Sequence, residues 1–416
     1  MKELPTLTFG VGDRFGLEGE AQLKAIMAIR DRGVDAAPVW NKSFREHSLV
    51  GTAPGDVRAE ADAAVAALGW KGAYFVDADH IRLANVDAFT EASDFFTIDV
   101  ADAIGKPVPE ADCADFAARH ADLVGEHRLE GLDAPVVVTP ELLRAVAAKY
   151  LFAAREAGRV YRRIVERRGR DDFATEVSMD ETSDPQRPAE LLAILAALAD
   201  EKIPLQTIAP KFSGEFHKGV DYLGDPARFG EEFDADVAVA SFAAKAFGLP
   251  SNLKLSVHSG SDKFAIYPYI ARSIRKHRAG VHIKTAGTTW LEEVAGLAAS
   301  GDDGLAVAKR ICLEALPRLD ELAAPYAAVL SIDKSRLPSA GEIASWDSET
   351  FVGHLVHDAS NPLYSPDFRQ FVHISYSVAA AMGADFTDAV KAHRDVVGEF
   401  VTRNLLDRHL RLLAEP

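Results

Sequence analysis

The chain has 416 residues, 48% of them hydrophobic and 26% charged, which is typical of a globular protein with one large domain or two smaller ones. Its 63 Asp and Glu outnumber 46 Lys and Arg, and the net charge of −17 argues against binding to nucleic acid or to an anionic membrane. Neither Cys113 nor Cys312 belongs to a paired motif, and no stretch approaches the roughly 20 apolar residues of a membrane span. We therefore expect two buried cysteines and a cytoplasmic protein without nucleic-acid or membrane partners.

Eight short runs rich in apolar and β-branched residues recur along the chain, and amphipathic, alanine-rich stretches separate most of them. The runs span residues 6–12, 37–41, 73–79, 95–102, 173–181, 205–213, 253–259 and 281–287. Apolar strands that alternate with helices predict a parallel sheet covered on both faces. Eight such strands predict an α/β fold of the (β/α)8 TIM-like barrel type, and an open doubly wound sheet is the alternative.

Two further regions read as helical. Residues 107–170 form a predicted helical insertion between the fourth and fifth runs, and residues 301–416 a predicted helical extension that packs on the barrel. We therefore predict a barrel domain over residues 1–300 and a C-terminal extension over residues 301–416. His373 in the extension is a candidate to close over the barrel mouth.

Polar residues collect at the predicted carboxyl ends of the strands, where a (β/α)8 barrel has its active site. In chain order they are Asp13, Arg14, Asn41, Lys42, Asp77, Asp79, His80, Asp99, Asp102, Glu176, Asp180, Glu181, Lys211, Glu215, His217, Lys218, His258, Ser259, Asp262, Lys263, His282, Lys284 and Thr285. One solvated charge at a strand end carries no function by itself. The same pattern on all eight runs favours a functional site.

Histidine and carboxylate without sulfur are the ligands of Zn, Mn, Ni or Fe(II). His80, Glu215 and His258 follow three different strands, so they predict an open three-ligand metal site at the barrel mouth. His217 lies on the same strand face as Glu215 and is the alternative third ligand. His282 lies inside a run and is expected to be a hydrogen-bonded core residue.

The stretch GVGDRFG (10–16) partly resembles a dinucleotide-binding loop. Its glycine spacing is GxGxxxG rather than GxGxxG, and Trp40-Asn41-Lys42 stands where an acidic ribose ligand would end the second strand. An anion site built from Arg14 and the loop amides is the favoured interpretation.

Five blocks in order resemble the tagaturonate/fructuronate epimerases of bacterial hexuronate catabolism. They are VDADHI (76–81), TEVSMDET (175–182), APKFSGEFHKGVDYLGD (209–225), SVHSGSDKFAIYP (256–268) and HIKTAGTTWLEE (282–293). The resemblance implies an isomerase that interconverts D-tagaturonate and D-fructuronate at C4 with a divalent metal (Zn, Mn, Ni, Co or Fe). It implies metal binding by His80, a residue of the Glu215 block and His258, and an acid/base pair of Asp79 and Glu176.

The reaction that this family performs limits the chemistry. The C4–H bond of a 2-keto sugar acid is beta to the carbonyl, so simple enolisation does not reach it. Retro-aldol cleavage of C3–C4 is the expected route, and direct removal of the C4 proton is the alternative. The C6 carboxylate needs cations, and a small-residue loop would admit the substrate. The candidate substrate-binding residues are Arg14, Lys42, Lys211, Lys218, Asp262, Lys263 and Lys284.

Two other functions stay open. The same barrel and metal would serve a ketose 3-epimerase, an isomerase or a class II-type aldolase acting on a related sugar. A non-catalytic sugar-acid-binding protein would need neither the metal ligands nor the pair Asp79 and Glu176. The expected partner is a small sugar acid, and assembly into a homo-oligomer stays open.

Overall fold

A computed structural model describes residues 2–182, 184–285 and 287–414. Its ten strands are β1 Leu7–Gly12, β2 Ala36–Ser43, β3 Phe75–Ile81, β4 Phe95–Asp99, β5 Gly125–His127, β6 Val136–Val138, β7 Ala174–Ser178, β8 Thr207–Ala209, β9 Lys254–His258 and β10 Val281–Lys284. Eight of these strands close into a parallel barrel in the order β1-β10-β9-β8-β7-β4-β3-β2. The (β/α)8 prediction is confirmed and the open sheet was wrong. Each predicted run overlaps one barrel strand; Ala286, in the eighth run, lies outside the described residues.

Helices cover the barrel and form most of the C-terminal region. They are α1 Gly19–Arg30, α2 Phe44–Val50, α3 Pro54–Ala67, α4 Glu110–Arg119, α5 Pro140–Arg168, α6 Pro188–Asp200, α7 Pro226–Phe247, α8 Tyr267–His277, α9 Thr288–Ala299, α10 Asp302–Ala315, α11 Leu319–Ala323, α12 Ala340–Ser345, α13 Ser348–Leu355, α14 Pro366–Ile374, α15 Tyr376–Met382, α16 Ala384–Ala392, α17 Arg394–Arg403 and α18 Arg411–Ala414. A π-helical segment, Asn404–Leu410, joins α17 to α18. The connection from β3 to β4 carries only a short 3-10 turn, Val86–Ala88, in place of a full helix.

The sequence sets the helix ends by local chemistry, as α5 illustrates. Thr139 accepts a hydrogen bond from the backbone N–H of Leu142, and Pro140 occupies the first turn, where no N–H is needed. The helix ends at Gly169, whose φ of 66° is left-handed and therefore favours glycine. The signals that begin and end this helix are thus all readable from the sequence.

The barrel interior has an apolar layer and a polar layer. Inward-facing residues near the amino ends of the strands form one buried cluster with Leu4, which precedes β1; the strand residues are Ala37, Val39, Phe75, Phe95 and Ala174. Inward-facing residues near the carboxyl ends are buried polar groups, among them Asp77, Asp79, Thr97, Glu176 and Lys284. The apolar layer fills the barrel at the amino ends of the strands, and the polar layer lies at the carboxyl ends, beneath the mouth.

The C-terminal helices build a second hydrophobic core on the barrel. Trp290 of α9 lies in this cluster with Phe371 of α14 and Val397 of α17. The chain then returns to the barrel core, where Leu405 and Leu410 pack. The predicted boundary between two domains near residue 300 stays a prediction.

The insertion between β4 and β7 contains the two predicted helices α4 and α5. It also holds a two-stranded antiparallel sheet, β5–β6, that the sequence patterns did not predict. Cys113 and Cys312 are buried and free, as expected. Within the described ranges, no helix is long and apolar enough to cross a membrane.

Candidate active site

The carboxyl end of β3 brings two consecutive polar side chains to the barrel mouth. The register between β3 and β4 shifts between Ala78 and Ile81, and His80 has a φ of 52°, which is uncommon for histidine. Successive side chains of a regular strand point to opposite faces. Because of the bulge, Nε2 of His80 instead lies 3.7 Å from Oδ1 of Asp79.

One buried ammonium group joins three carboxylates at the centre of the mouth. The Nζ of Lys284 lies 2.8 Å from Oδ2 of Asp77, 2.9 Å from Oδ1 of Asp79 and 3.3 Å from Oε1 of Glu176. It also donates a hydrogen bond to Oγ1 of Thr97 at 2.7 Å. Lys284 was predicted to bind the substrate carboxylate, but the structure makes it the counter-ion of carboxylates from β3 and β7.

These buried charges set one another's pKa values. Burial lowers the pKa of Lys284, but the three carboxylates outweigh burial and raise it well above its usual range. Burial raises the pKa values of Asp79 and Glu176, but the positive charge of Lys284 outweighs burial. The pKa of Asp79 is lowered to about 2, and that of Glu176 is lowered well below its usual value. For Asp77, burial dominates and raises the pKa to about 6. Asp79 and Glu176 are therefore ionised at neutral pH and able to accept protons.

Three side chains beside this group could hold a metal ion. His80, Asp180 and His258 each offer one ligand atom, and these atoms all lie within 4.8 Å of one another. Nδ1 of His258 lies 3.2 Å from Oδ2 of Asp180. Two ligands bound to one ion at roughly 2.0–2.2 Å are about 3–3.5 Å apart, so this spacing suits a shared ion. Two imidazoles and a carboxylate also suit divalent transition metals.

The surroundings of the two histidines favour a cation. Nε2 of His258 lies 2.7 Å from Oε1 of Glu176, so an N–H pointing at Glu176 leaves Nδ1 for a metal. Burial lowers the pKa of His258, but Asp180 and Glu176 outweigh it and raise the pKa to about 9. Burial likewise lowers the pKa of His80, and Asp79 and Asp99 raise it to about 10. The carboxylates that retain these protons would also stabilise a bound metal ion.

Glu215, predicted as the third metal ligand, lies outside this cluster. Its side chain is exposed, and its backbone forms an isolated bridge with Leu223. His217, the predicted alternative, is half-buried and is in no potential metal cluster among the described residues. Asp180, two residues beyond the end of β7, occupies the third position instead. The sequence analysis placed Asp180 among the polar residues at the strand ends but gave it no role, because the loop conformation after β7 decides this choice.

The two predicted substrate-binding residues after β9 are engaged within the protein. Lys263 is fully buried and donates hydrogen bonds to the backbone carbonyls of His217 and Val220. Asp262 is also fully buried; its Oδ2 lies 2.7 Å from Nη2 of Arg369, and its Oδ1 lies 3.0 Å from Nε2 of His409. Both residues therefore tie the β9 loop to its neighbours, and neither presents its charge to a substrate.

The loop after β1 also uses its polar groups internally. Nε of Arg14 lies 3.3 Å from Oε1 of Glu46, and Nη1 of Arg14 donates to the backbone carbonyl of His373. The carboxylate of Asp13 accepts hydrogen bonds from four loop amides, those of Phe15, Gly16, Leu17 and Glu18. The amides predicted to bind an external anion thus bind the carboxylate of Asp13.

The remaining predicted cations differ in where they point. Lys42 is buried and shares the outer face of β2 with Trp40, whose indole N–H donates to Gln22 of α1. Lys211 and Lys218 are half-buried, and their ammonium groups have no partner among the residues that the structure describes. These two lysines are the predicted cations that remain free for a substrate.

Asn41 is a site residue that the sequence patterns placed at a strand end without a role. It faces the barrel interior, opposite to Trp40 and Lys42, and pairs in register with Asp77. Its side chain is buried, and both Oδ1 and Nδ2 lack a hydrogen-bond partner within the described ranges. Such a group is free to bind substrate hydroxyls. His282, in contrast, is the expected core residue, with Nδ1 2.9 Å from Oγ1 of Thr8.

Comparisons with known proteins identify the family of this chain. The model of the family UxaE, tagaturonate epimerase, matches residues 2–413. A tagaturonate/fructuronate epimerase from Thermotoga maritima is 26% identical over 422 residues, covering 98% of this chain and 80% of its own length. The crystal structure of a fructuronate-tagaturonate epimerase from Cohnella laeviribosi, in complex with one glycerol, has a TM-score of 0.80 and 24% identity, covering 98% of this chain and 81% of that chain. The native structure of the same enzyme also has a TM-score of 0.80, with 24% identity over 99% and 82% of the two chains.

The protein is a (β/α)8 barrel whose mouth holds paired carboxylates on a shared lysine, and it matches this family. It is therefore a carbohydrate epimerase, an enzyme of the isomerase class. The chain belongs to the tagaturonate epimerase family, since the family model covers nearly its whole length.

Proposed function

We propose that this protein interconverts D-tagaturonate and D-fructuronate by inverting C4, with a divalent metal ion held by His80, Asp180 and His258. The observation that carries the proposal is the placement of two ionised carboxylates, Asp79 and Glu176, on one ammonium group beside a potential metal site. Family membership supports the substrate pair. A cytoplasmic location and assembly into a homo-oligomer stay predictions from the sequence.

The residues present fit a metal ion. Nδ1 of His80 and Nδ1 of His258 are buried and have no hydrogen-bond partner in the described ranges, and the neighbouring carboxylates supply negative charge. Zn, Mn, Ni, Co and Fe all accept this ligand set. A bound divalent ion would supply Lewis-acid stabilisation to the oxygen atoms at C2 and C3 of the substrate. Glu176 would orient His258 through its Nε2–H.

The carboxylates then carry the proton transfers of a retro-aldol route. Asp79 removes the proton of the C4 hydroxyl, the C3–C4 bond breaks, and its electron pair moves toward C2 as the C1–C3 fragment becomes an enediolate. The C4 aldehyde turns about the C4–C5 bond, and the C3–C4 bond re-forms on its other face. Glu176 returns a proton to the C4 oxygen.

The exchange needs no net change in protons, because the proton that Asp79 takes up is the one that Glu176 returns. Glu176 is ionised at rest, because Lys284 lowers its pKa, so it needs a proton before it acts as an acid. Lys284 contacts both carboxylates and keeps its own proton, because they raise its pKa well above the usual range, so it would hold Asp79 and Glu176 side by side while the proton passes from one to the other. In the reverse direction, Asp79 and Glu176 exchange roles. Oε2 of Glu176 is buried and has no hydrogen-bond partner among the described residues, so it is the atom that would face the substrate.

The first experiment is to incubate the purified protein with D-tagaturonate and to follow D-fructuronate by chromatography. The assay is run before and after EDTA treatment and again after addition of Zn, Mn, Ni or Co. The proposal expects conversion that EDTA abolishes and at least one metal restores. Conversion that survives complete metal removal would contradict the metal, and no conversion under any condition would contradict the substrate.

A second experiment distinguishes the two chemical routes. In substrate labelled with deuterium at C4, the C4–D bond stays intact in the retro-aldol route and breaks in direct deprotonation. The proposal expects no primary isotope effect on kcat and full retention of deuterium in the product. A primary isotope effect, or loss of deuterium to solvent, would contradict the retro-aldol route.

A further inference from the structure

His373 is a buried histidine whose ring nitrogens make no hydrogen bond to the described residues. It lies near the end of α14 and is only 1% exposed. Neither Nδ1 nor Nε2 has a hydrogen-bond partner in the part of the chain that the structure describes. Buried side-chain nitrogens are nearly always paired, because leaving them unpaired is unfavourable. An unpaired pair of nitrogens therefore indicates a position that is completed by a ligand.

Two glycines hold this imidazole next to a lysine. A Cβ atom on Gly287 would collide with Nε2 of His373, so glycine permits this close approach. The backbone N–H of Gly287 donates to the carbonyl of Gly260 at 3.0 Å. A Cβ atom on Gly260 would in turn lie 3.1 Å from Nζ of Lys218. The two contacting loops thus bring an imidazole and an ammonium group to one place.

The charges around His373 are positive. Burial lowers its pKa well below the usual value, and Arg14, Lys218, Arg369 and Lys263 lower it further. The ring is therefore neutral and offers one N–H donor. Asp262 neutralises Arg369, whereas the ammonium group of Lys218 has no partner among the described residues. A neutral donor beside an unpaired cation matches a carboxylate rather than a sugar hydroxyl alone.

This place adjoins the proposed catalytic centre. Gly260 follows the potential metal ligand His258 by two residues, and Gly287 follows Lys284 by three. The two glycine loops therefore continue directly from the strands that carry the proposed chemistry. We propose that Lys218 and the uncharged His373 bind the C6 carboxylate of the substrate, and that His373 thereby selects sugar acids over neutral ketoses. The inference rests on the proposed function, since it assigns the carboxylate end of that substrate.

The test compares D-tagaturonate with D-tagatose, which carries a hydroxymethyl group in place of the carboxylate. Steady-state kinetics are measured for the wild type, His373→Leu, His373→Gln and Lys218→Met, with the exposed Lys245→Met as the control. Losing one hydrogen bond to a charged group typically weakens binding about 10–100-fold. His373→Leu and Lys218→Met should therefore raise the KM for D-tagaturonate about 10–100-fold with little change in kcat. His373→Gln, which keeps an N–H donor, should recover part of this loss.

Two further readouts separate binding from a structural role. The parameters for D-tagatose should not change in His373→Leu, and its urea midpoint should equal or exceed that of the wild type, because the lost ring makes no hydrogen bond to the residues that the structure describes. An unchanged KM for D-tagaturonate, or equal losses for both sugars, would overturn the inference. If the wild type turns over neither sugar, the proposed function fails. Calorimetry then tests whether Lys218 and His373 bind the carboxylate. Tighter binding of D-tagaturonate than of D-tagatose by the wild type, with the difference lost in His373→Leu, would support the inference. Equal affinities of the wild type for the two sugars would overturn it.

Discussion

Replacing Lys284 with methionine tests the centre of the site, because methionine keeps the length of the side chain and removes its charge. Each contact with Asp77, Asp79 or Glu176, at 2.8–3.3 Å, has a gross Coulomb attraction. At an effective dielectric constant near 20 it amounts to roughly 5 kcal/mol, most of which offsets the cost of burying the charges. Removing one partner of a buried ion pair typically costs about 3–5 kcal/mol, because the carboxylates left behind repel one another.

The free energy of unfolding of Lys284→Met is measured by urea denaturation of EDTA-treated protein at pH 7. Lys391→Met is the control, since its ion pair with Asp388 is exposed to solvent. We expect a loss of about 3–5 kcal/mol for Lys284→Met, and kcat at least about 10²-fold lower because the acid/base pair loses the ammonium group that holds it in place. A Lys284→Met protein as stable and active as the control would refute the role assigned to this ammonium group.

Three further predictions concern the pairs around the site. Glu176→Gln should weaken metal binding about 10–100-fold, measured by competition with a chromophoric chelator, because the group that orients His258 loses its negative charge. Arg369→Met should lower the free energy of unfolding by about 3–5 kcal/mol, because Asp262 stays buried without its cation, whereas the exposed Arg318→Met should change it little. Burial and then Asp13 raise the pKa of Glu18 to about 8, so wild-type stability should fall relative to Glu18→Gln as the pH rises from about 4.5 to 8, measured by urea midpoints. Equal values for wild type and variant would contradict each prediction.

The barrel could be predicted from the sequence because its strands are continuous apolar runs with polar residues at one end. All eight runs overlap a barrel strand. The short strands β5 and β6 escaped notice because three residues are too few to carry a periodicity. The missing helix between β3 and β4 likewise has no periodic signal of its own.

The site was predictable where a side chain follows directly from a strand. Asp79 and His80 lie near the carboxyl end of β3, and His258 ends β9, so the barrel topology brings these residues to the same mouth. Asp180 lies beyond β7, in a loop whose path the sequence patterns do not determine. The sequence shows the charge of each side chain but not the residues that it contacts. Lys284 was expected to face a substrate anion and instead faces three carboxylates of the protein.

The structure and the sequence analysis differ in the third metal ligand: the structure indicates Asp180, and the sequence analysis predicted Glu215. Both residues are acidic, but Asp180 shares a cluster with His80 and His258, whereas the Glu215 side chain is exposed. The direct measurement is the metal content and affinity of Asp180→Asn and Glu215→Gln, by plasma mass spectrometry and calorimetry, with epimerisation of D-tagaturonate assayed on the same samples. The account predicts that Asp180→Asn loses both metal and activity while Glu215→Gln keeps the metal affinity of the wild type. Full metal affinity in Asp180→Asn, with loss in Glu215→Gln, would contradict it.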